Sequence, residues 1–154
     1  MAAKNARREA AAANESAAAN ESGIVLIPVS AGELIDKITI LAIKTERVQN
    51  AQKRLIAARE LAPLQRAAAP MLGAETGAAA EIAPLMARLA AVNRTLWEVE
   101  DSLRAMERAQ NFDAGFVELA RGVYRANDER ARLKNAISAA AGSSLREFKE
   151  HPDY

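Results

Sequence analysis

Residues 82–106 read IAPLMARLAAVNRTLWEVEDSLRAM, and their spacing decides the class of fold. Ile82, Leu85, Leu89, Val92, Leu96, Val99, Leu103 and Met106 alternate gaps of three and four residues without a fault. An apolar seam that recurs on average every 3.5 residues keeps to one side of an α-helix, whereas a half-buried strand alternates with a period of two. The spacing predicts a helix over 81–110 that must lay this seam against a neighbour.

On the C-terminal side, NFD at 111–113 breaks the pattern before Phe116, Leu119, Val123, Ala126, Leu133 and Ile137 resume it, with Arg130 interrupting the seam. Asp113 can cap this helix, Phe112 can staple to Val117, and Gly142 supplies a C-terminal stop, so it should run over 114–141. On the N-terminal side, Leu34, Ile38, Leu41, Thr45, Val48, Gln52, Leu55 and Ala62 predict one helix over 31–62. Ile35, Ile40 and Ile43 widen its stripe, so its first half needs more than one neighbour. Pro63, Pro70, Gly73, Gly77 and Pro84 make 63–80 read as a long linker. The expected fold is mainly α. Three long helices form an antiparallel coiled-coil-like hairpin or bundle, with a short strand-like segment, Ile24–Val29, before the first.

A chain of 154 residues is about one domain, and 50% hydrophobic residues suffice for a core. Aromatics at 4% and abundant alanine favour close helix packing. Residues 11–22 repeat AAANES twice with no large apolar side chain, so 1–22 read as a disordered Ala-rich arm, 23–142 as the helical domain and 143–154 as a tail. The 21 basic and 20 acidic residues are interspersed, which is no nucleic-acid footprint. The absence of cysteine removes thiolate metal sites and thiol nucleophiles. The apolar run Ile24–Val29 is far short of a membrane span, and the basic N-terminus lacks the apolar core of a secretory signal, so the expected location is cytoplasmic.

Ser30-Ala-Gly-Glu33 has the S-x-x-E form of a capping box, with Val29 and Leu34 placed for a hydrophobic staple. Asp36 falls near the positive end of the helix dipole, and Glu33 and Lys37 can pair at i,i+4. This cluster is accounted for as a helix start. The functional alternative sets Glu33-x-x-Asp36 and Glu98-x-x-Asp101 around magnesium. A fold-back near residue 71 would offset them by about 8–12 Å, too far to share one ion. Neither a metal site nor a cofactor is expected. G-x-S-x-G, Walker A, G-x-G-x-x-G and H-E-x-x-H are absent, His151 is the lone histidine, and no catalytic residue is named.

Beside the seam, Asn93, Trp97, Glu100 and Arg104 form a flanking stripe at 4-3-4 spacing, with Arg121, Tyr124, Asn127 and Asp128 at matching heights on the last helix and Lys44 on the first. Such residues either satisfy one another as a register-fixing network or line an anion pocket. In the second case Lys44, Trp97, Glu100, Arg104, Arg121, Tyr124 and Asn127 are the ligand-binding candidates.

The phrases SAGELIDKITILAIKTERV, VNRTLWEVEDSLRAMER and FDAGFVELARGVYRANDERARLKNAI, with the ending GSSLREFKEHPDY, resemble a family of small bacterial proteins of unknown function over about 24–154. The arm, the Ala-rich connection from 62 to 80 and the tail EFKEHPDY depart from its pattern. The resemblance implies an accessory role beside cell-surface polysaccharide genes and transfers no chemistry. The expectation is a non-enzymatic helical interaction protein that forms a homo-oligomer, a dimer first, through the first helix's second apolar face and the 24–29 segment. A further protein partner is also open, and the expected partners include neither nucleic acid nor membrane. The alternative is a small-molecule binder or all-α enzyme acting on an anionic or phosphorylated ligand, resembling magnesium-dependent nucleotide pyrophosphohydrolases or chorismate mutases.

Overall fold

A computed structural model describes residues 25–73 and 77–148 of the chain. Its four helices are α1 (Ala31–Arg47), α2 (Ala51–Leu72), α3 (Gly77–Arg108) and α4 (Ala114–Ala140). The mainly helical expectation holds, but the three-helix hairpin does not. The expected first helix is broken at 48–50 by a cap that carries no glycine or proline. The Asn50 side chain accepts from Lys53 N at 3.0 Å and starts α2. Arg54 Nη1 donates to the Val48 and Gln49 carbonyls at 2.8 Å each, satisfying backbone that leaves α1 without a helical partner.

The linker expected over 63–80 is corrected as well, because 63–72 continue α2 through Pro63 and Pro70. An interior proline forfeits a backbone bond and costs about 3 kcal/mol, which favours a break. Here Leu61, Leu64, Ala68, Met71 and Leu72 pack on the common core, and that burial outweighs the local preference. Residues 25–30 form no strand among the described residues. The disordered-arm expectation for 1–22 and the last part of the tail, 149–154, lie outside them.

Chain direction follows from cross-helix contacts. Gly32 N reaches Ser138 Oγ, Glu33 meets Lys134 and Asp36 meets Arg130, so α1 and α4 are antiparallel. Asp36 also meets Asn93 and Arg47 meets Glu98, so α1 and α3 run together. The result is an up-down-up-down bundle in which α1 touches all three other helices, while α2 and α4 do not pack together. Ile35, Ile38, Ala68, Ile82, Leu89, Leu133 and Ile137 form the core. Each fully buried large aliphatic contributes about 1.5–3 kcal/mol.

Most of both apolar faces of α1 is covered inside one copy: Ile35, Ile38, Leu41 and Ile43 are buried, while Ile40 stays half-buried. Ile35 and Ile43 of the second face, expected to serve self-association, are thus used for folding.

The helix ends are well formed. Ser30 Oγ accepts from Glu33 N at 3.2 Å, and Asp113 accepts from Gly115 N and Phe116 N. The bond from Phe116 N, then that from the Asn111 amide, holds the Asp113 carboxyl below its usual range against an opposing effect of desolvation, with the Gly115 bond adding to the lowering. Phe112 packs edge-on against Phe116 with ring centroids 5.2 Å apart, where Val117 was the expected staple partner. Gly142 ends α4 with a left-handed φ of 66°, and Ser143 N returns to the Ser138 carbonyl at 2.9 Å.

Candidate functional site

The polar centre of the bundle is built on Asp36, only 4% exposed and the buried charged member of the expected helix-start cluster. Arg130, the residue that interrupts the α4 seam, donates Nε to its Oδ1 at 2.9 Å and Nη2 to its Oδ2 at 2.6 Å. Those bonds raise the Arg130 guanidinium above its ordinary pKa despite burial, with further help from the charges of Asp36, Glu33 and Glu147. Asn93 Nδ2 from α3 donates to Asp36 Oδ1 and to Thr39 Oγ1, both at 2.9 Å, and Thr39 Oγ1 donates to the Asp36 carbonyl at 2.8 Å. Three helices meet on one carboxylate, and each group is oriented by another.

A second ionic cluster lies one to two turns away. The Lys134 ammonium, almost fully buried, sits 2.6 Å from Glu33 Oε1 and 2.5 Å from Glu147 Oε2. Burial pulls the ammonium pKa down, but the hydrogen bonds it donates to Glu147 and Glu33, with their charges, outweigh it and leave the group raised. The Asn135 amide clasps the Glu147 backbone at 3.1 and 3.2 Å, tying the tail to α4. Glu33 therefore serves an interhelical pair, where a return bond to the cap or a pair with Lys37 was expected.

Above the Asp36 network opens a cleft of about 390 Å³ between α1, α3 and α4. Ile40, Ile43 and Leu96 give it apolar walls, and Trp97, Glu100, Asp101 and Arg104 line it from α3. Asn127 and Arg130 close the α4 side and Asn93 lies at its base. Of the seven ligand candidates, Trp97, Glu100, Arg104 and Asn127 come together here. Lys44 lines a separate shallow groove with Lys53 and Glu60. Arg121 is exposed and pairs with Glu118 at 3.6 Å, and Tyr124 is exposed beneath the Arg125 guanidinium. Among the described residues no three acidic or imidazole groups gather as a metal ion would need.

A family model matches residues 25–152, a span that contains all four helices. The chain belongs to DUF6165, a family of unknown function. The family resemblance is thereby shown, and the DUF6165 assignment brings no chemistry with it. No curated protein and no solved structure matches the chain. Among the described residues no helix is long and apolar enough to cross a membrane.

Sequence reasoning missed Asp36, Asn93's pairing and Arg130 as one unit. The signal was present in the interrupted seam: an arginine on an apolar stripe must find a buried carboxylate, and Asp36 lies inside the apolar half of α1.

Proposed function

We propose that this member of the family is a non-enzymatic helical interaction protein that pairs with a second copy through the end of the bundle where α1 begins and the tail is held. The observation that carries it is the exposure there of Val25, Leu26, Ile27 and Val29, with Val25 81% and Ile27 70% exposed. Leu145 and Phe148 are also exposed, in the tail that Lys134 and Asn135 hold beside the start of α1. Four large apolar side chains exposed within five residues of chain mark a candidate association site. The buried charges support the reading too, since Asp36–Arg130 and Glu33–Lys134–Glu147 are engaged in holding helices together. An accessory role beside cell-surface polysaccharide synthesis is proposed on the sequence resemblance alone, and a cytoplasmic location on the lack of a membrane-length apolar run and of a secretory signal core in the sequence.

Light scattering after size-exclusion chromatography tests the pairing. The full chain should show about twice its 16.5 kDa mass, and Val25→Asp with Ile27→Asp should return it to a single copy. A monomeric parent, or a double variant that keeps the parent's mass, refutes the proposal.

A second reading is favoured by the cleft, where four of the ligand candidates converge: binding of a small molecule, with or without catalysis. Thermal-shift screening tests it, because a ligand at 100 times its Kd adds about 2.7 kcal/mol to folded stability.

A further inference from the structure

The cleft carries more information than its position, because its hydrogen-bonding polarity is fixed from beneath. Asn93 is only 5% exposed, and its amide cannot turn over: both donors of Nδ2 are held, one by Asp36 Oδ1 and one by Thr39 Oγ1, whose own proton goes to the Asp36 carbonyl. A flipped amide would set an oxygen against the Asp36 carboxylate. The carbonyl oxygen is therefore the end left toward the cleft that Asn93 lines. Among the described residues Oδ1 accepts no hydrogen bond, although it is not sealed off from solvent. A side chain so nearly buried, with its acceptor aimed into a cavity, calls for an N–H or O–H from whatever fills that cavity.

The charges of the lining point the same way. Arg130 spends its fork on Asp36, and Arg104 Nη2 is 2.6 Å from Glu100 Oε2, so both cations of the cleft already have carboxylates. Asp101 lines the cleft and has no ion-pair partner among the described residues. What the cleft offers a ligand is a surplus of acceptors and one unbalanced negative charge, beside an indole. An ammonium or guanidinium is attracted to the face of an indole as well as to a carboxylate. Apolar walls from Ile40, Ile43 and Leu96 suit a hydrocarbon body, and the volume is that of a small-molecule site.

The geometry points to a binding site for a small organic cation, an N–H-bearing ammonium or guanidinium on an apolar body, with the charged group on Asp101 and the body against Trp97 and the isoleucines; Asn93 Oδ1, eight residues and about 12 Å of helical rise away on α3, is left for an N–H at the far end of a longer ligand. This rests on the small-molecule reading of the cleft and gives it the opposite ligand charge from the phosphorylated ligands anticipated from sequence.

Trp97 is the only tryptophan, so its fluorescence reports the cleft without a label. The full chain is titrated with phenethylamine and agmatine, and in parallel with 2-phenylethanol, phenylacetate and phenyl phosphate. A saturable change with the two cations, at least tenfold tighter than with the alcohol or the anions, is the expected result. Asp101→Asn, an exposed position that leaves folding undisturbed, should weaken the cations about tenfold and leave the alcohol unaffected. Saturation by phenylacetate or phenyl phosphate without a response to cations overturns the cation assignment and leaves the pocket standing. Silence from every probe overturns both. Cation affinity that Asp101→Asn does not alter overturns the placement of the charge.

Discussion

Arg130 closes on Asp36 with two parallel hydrogen bonds across 94 residues of sequence, and this contact joins the two ends of the bundle's chain path. Removing one partner strands the other in a place water barely reaches. Breaking such a pair costs about 3–5 kcal/mol, and because the Arg130 side chain stays 27% exposed the lower part of that range applies. Asp36→Ala should therefore lower the urea midpoint strongly. Asp36→Leu combined with Arg130→Met removes both charges and should cost less than Asp36→Ala alone. A double variant as unstable as the sum of its single changes would show that the pair is not coupled in this way.

The contrast between Arg130 and Asn50 explains how much of this molecule was legible in its sequence. Long-range period survives any local detail, so the seam from Ile82 to Met106 and the stripe around Arg130 gave two helices nearly to their ends. The helix break at 48–50 was hidden because the apolar spacing runs straight through it, and asparagine, though it favours caps, is tolerated inside a helix until the tertiary fold-back of α2 decides. Pro63 and Pro70 misled for the converse reason, since burial of Ala68 and its neighbours overrides a local penalty. At the site, the flanking stripe on α3 was readable from spacing. The partners on α1 and α4 depend on register and face: assuming one unbroken first helix placed Lys44 at a cleft it does not reach, whereas Arg121 and Tyr124 lie exposed on faces of α4 that do not line it.

Gly32 lies where α1 crosses α4 most closely, and a Cβ there would run into the carbonyl group and Cα of Lys134. Backbone cannot yield as a flexible side chain does. Gly32→Ala should destabilise by about 1–3 kcal/mol or more, the usual effect of overpacking. Gly122, inside α4 with open space around it, provides the internal comparison. Gly122→Ala should stabilise by about 0.5–1 kcal/mol, the gain from removing glycine from a helix interior. Thermal melts of the two variants should move in opposite directions, and a tolerated Gly32→Ala would contradict the close crossing.

Gln110 follows α3 with a φ of 52°, and Asn111 N returns to the Met106 carbonyl at 3.0 Å in the pattern that glycine makes at the end of α4. A residue with a Cβ pays about 1–2 kcal/mol for that conformation. Its side chain recovers part of this through Nε2 donating to the Glu107 carbonyl at 2.9 Å. Gln110→Gly should raise stability by somewhat under about 1 kcal/mol once that bond is lost. Denaturant titration with an unchanged slope would report it, and a drop in midpoint would mean that the side-chain bond outweighs the strain.

Lys134 gives the bundle a dependence on alkaline pH whose direction is fixed. The folded-state pKa is raised, because Glu147 and Glu33 favour the ammonium by more than burial opposes it. The folded protein therefore holds this proton more tightly than the unfolded chain, whose lysines titrate near about 10.4. The resulting stability is fully present below the unfolded value and is lost as pH rises through the folded one. Lys134→Met cannot titrate, and at neutral pH it leaves Glu33 and Glu147 facing each other without the cation. Urea midpoints of the parent and of Lys134→Met should differ most near pH 8 and converge above about pH 10.4. Every other group is common to both proteins, so the difference between the two curves isolates this one ammonium. A gap that stayed constant from pH 8 to pH 11 would show that Lys134 acts through the packing of its methylene chain, with its charge contributing nothing to the joining of α1, α4 and the tail.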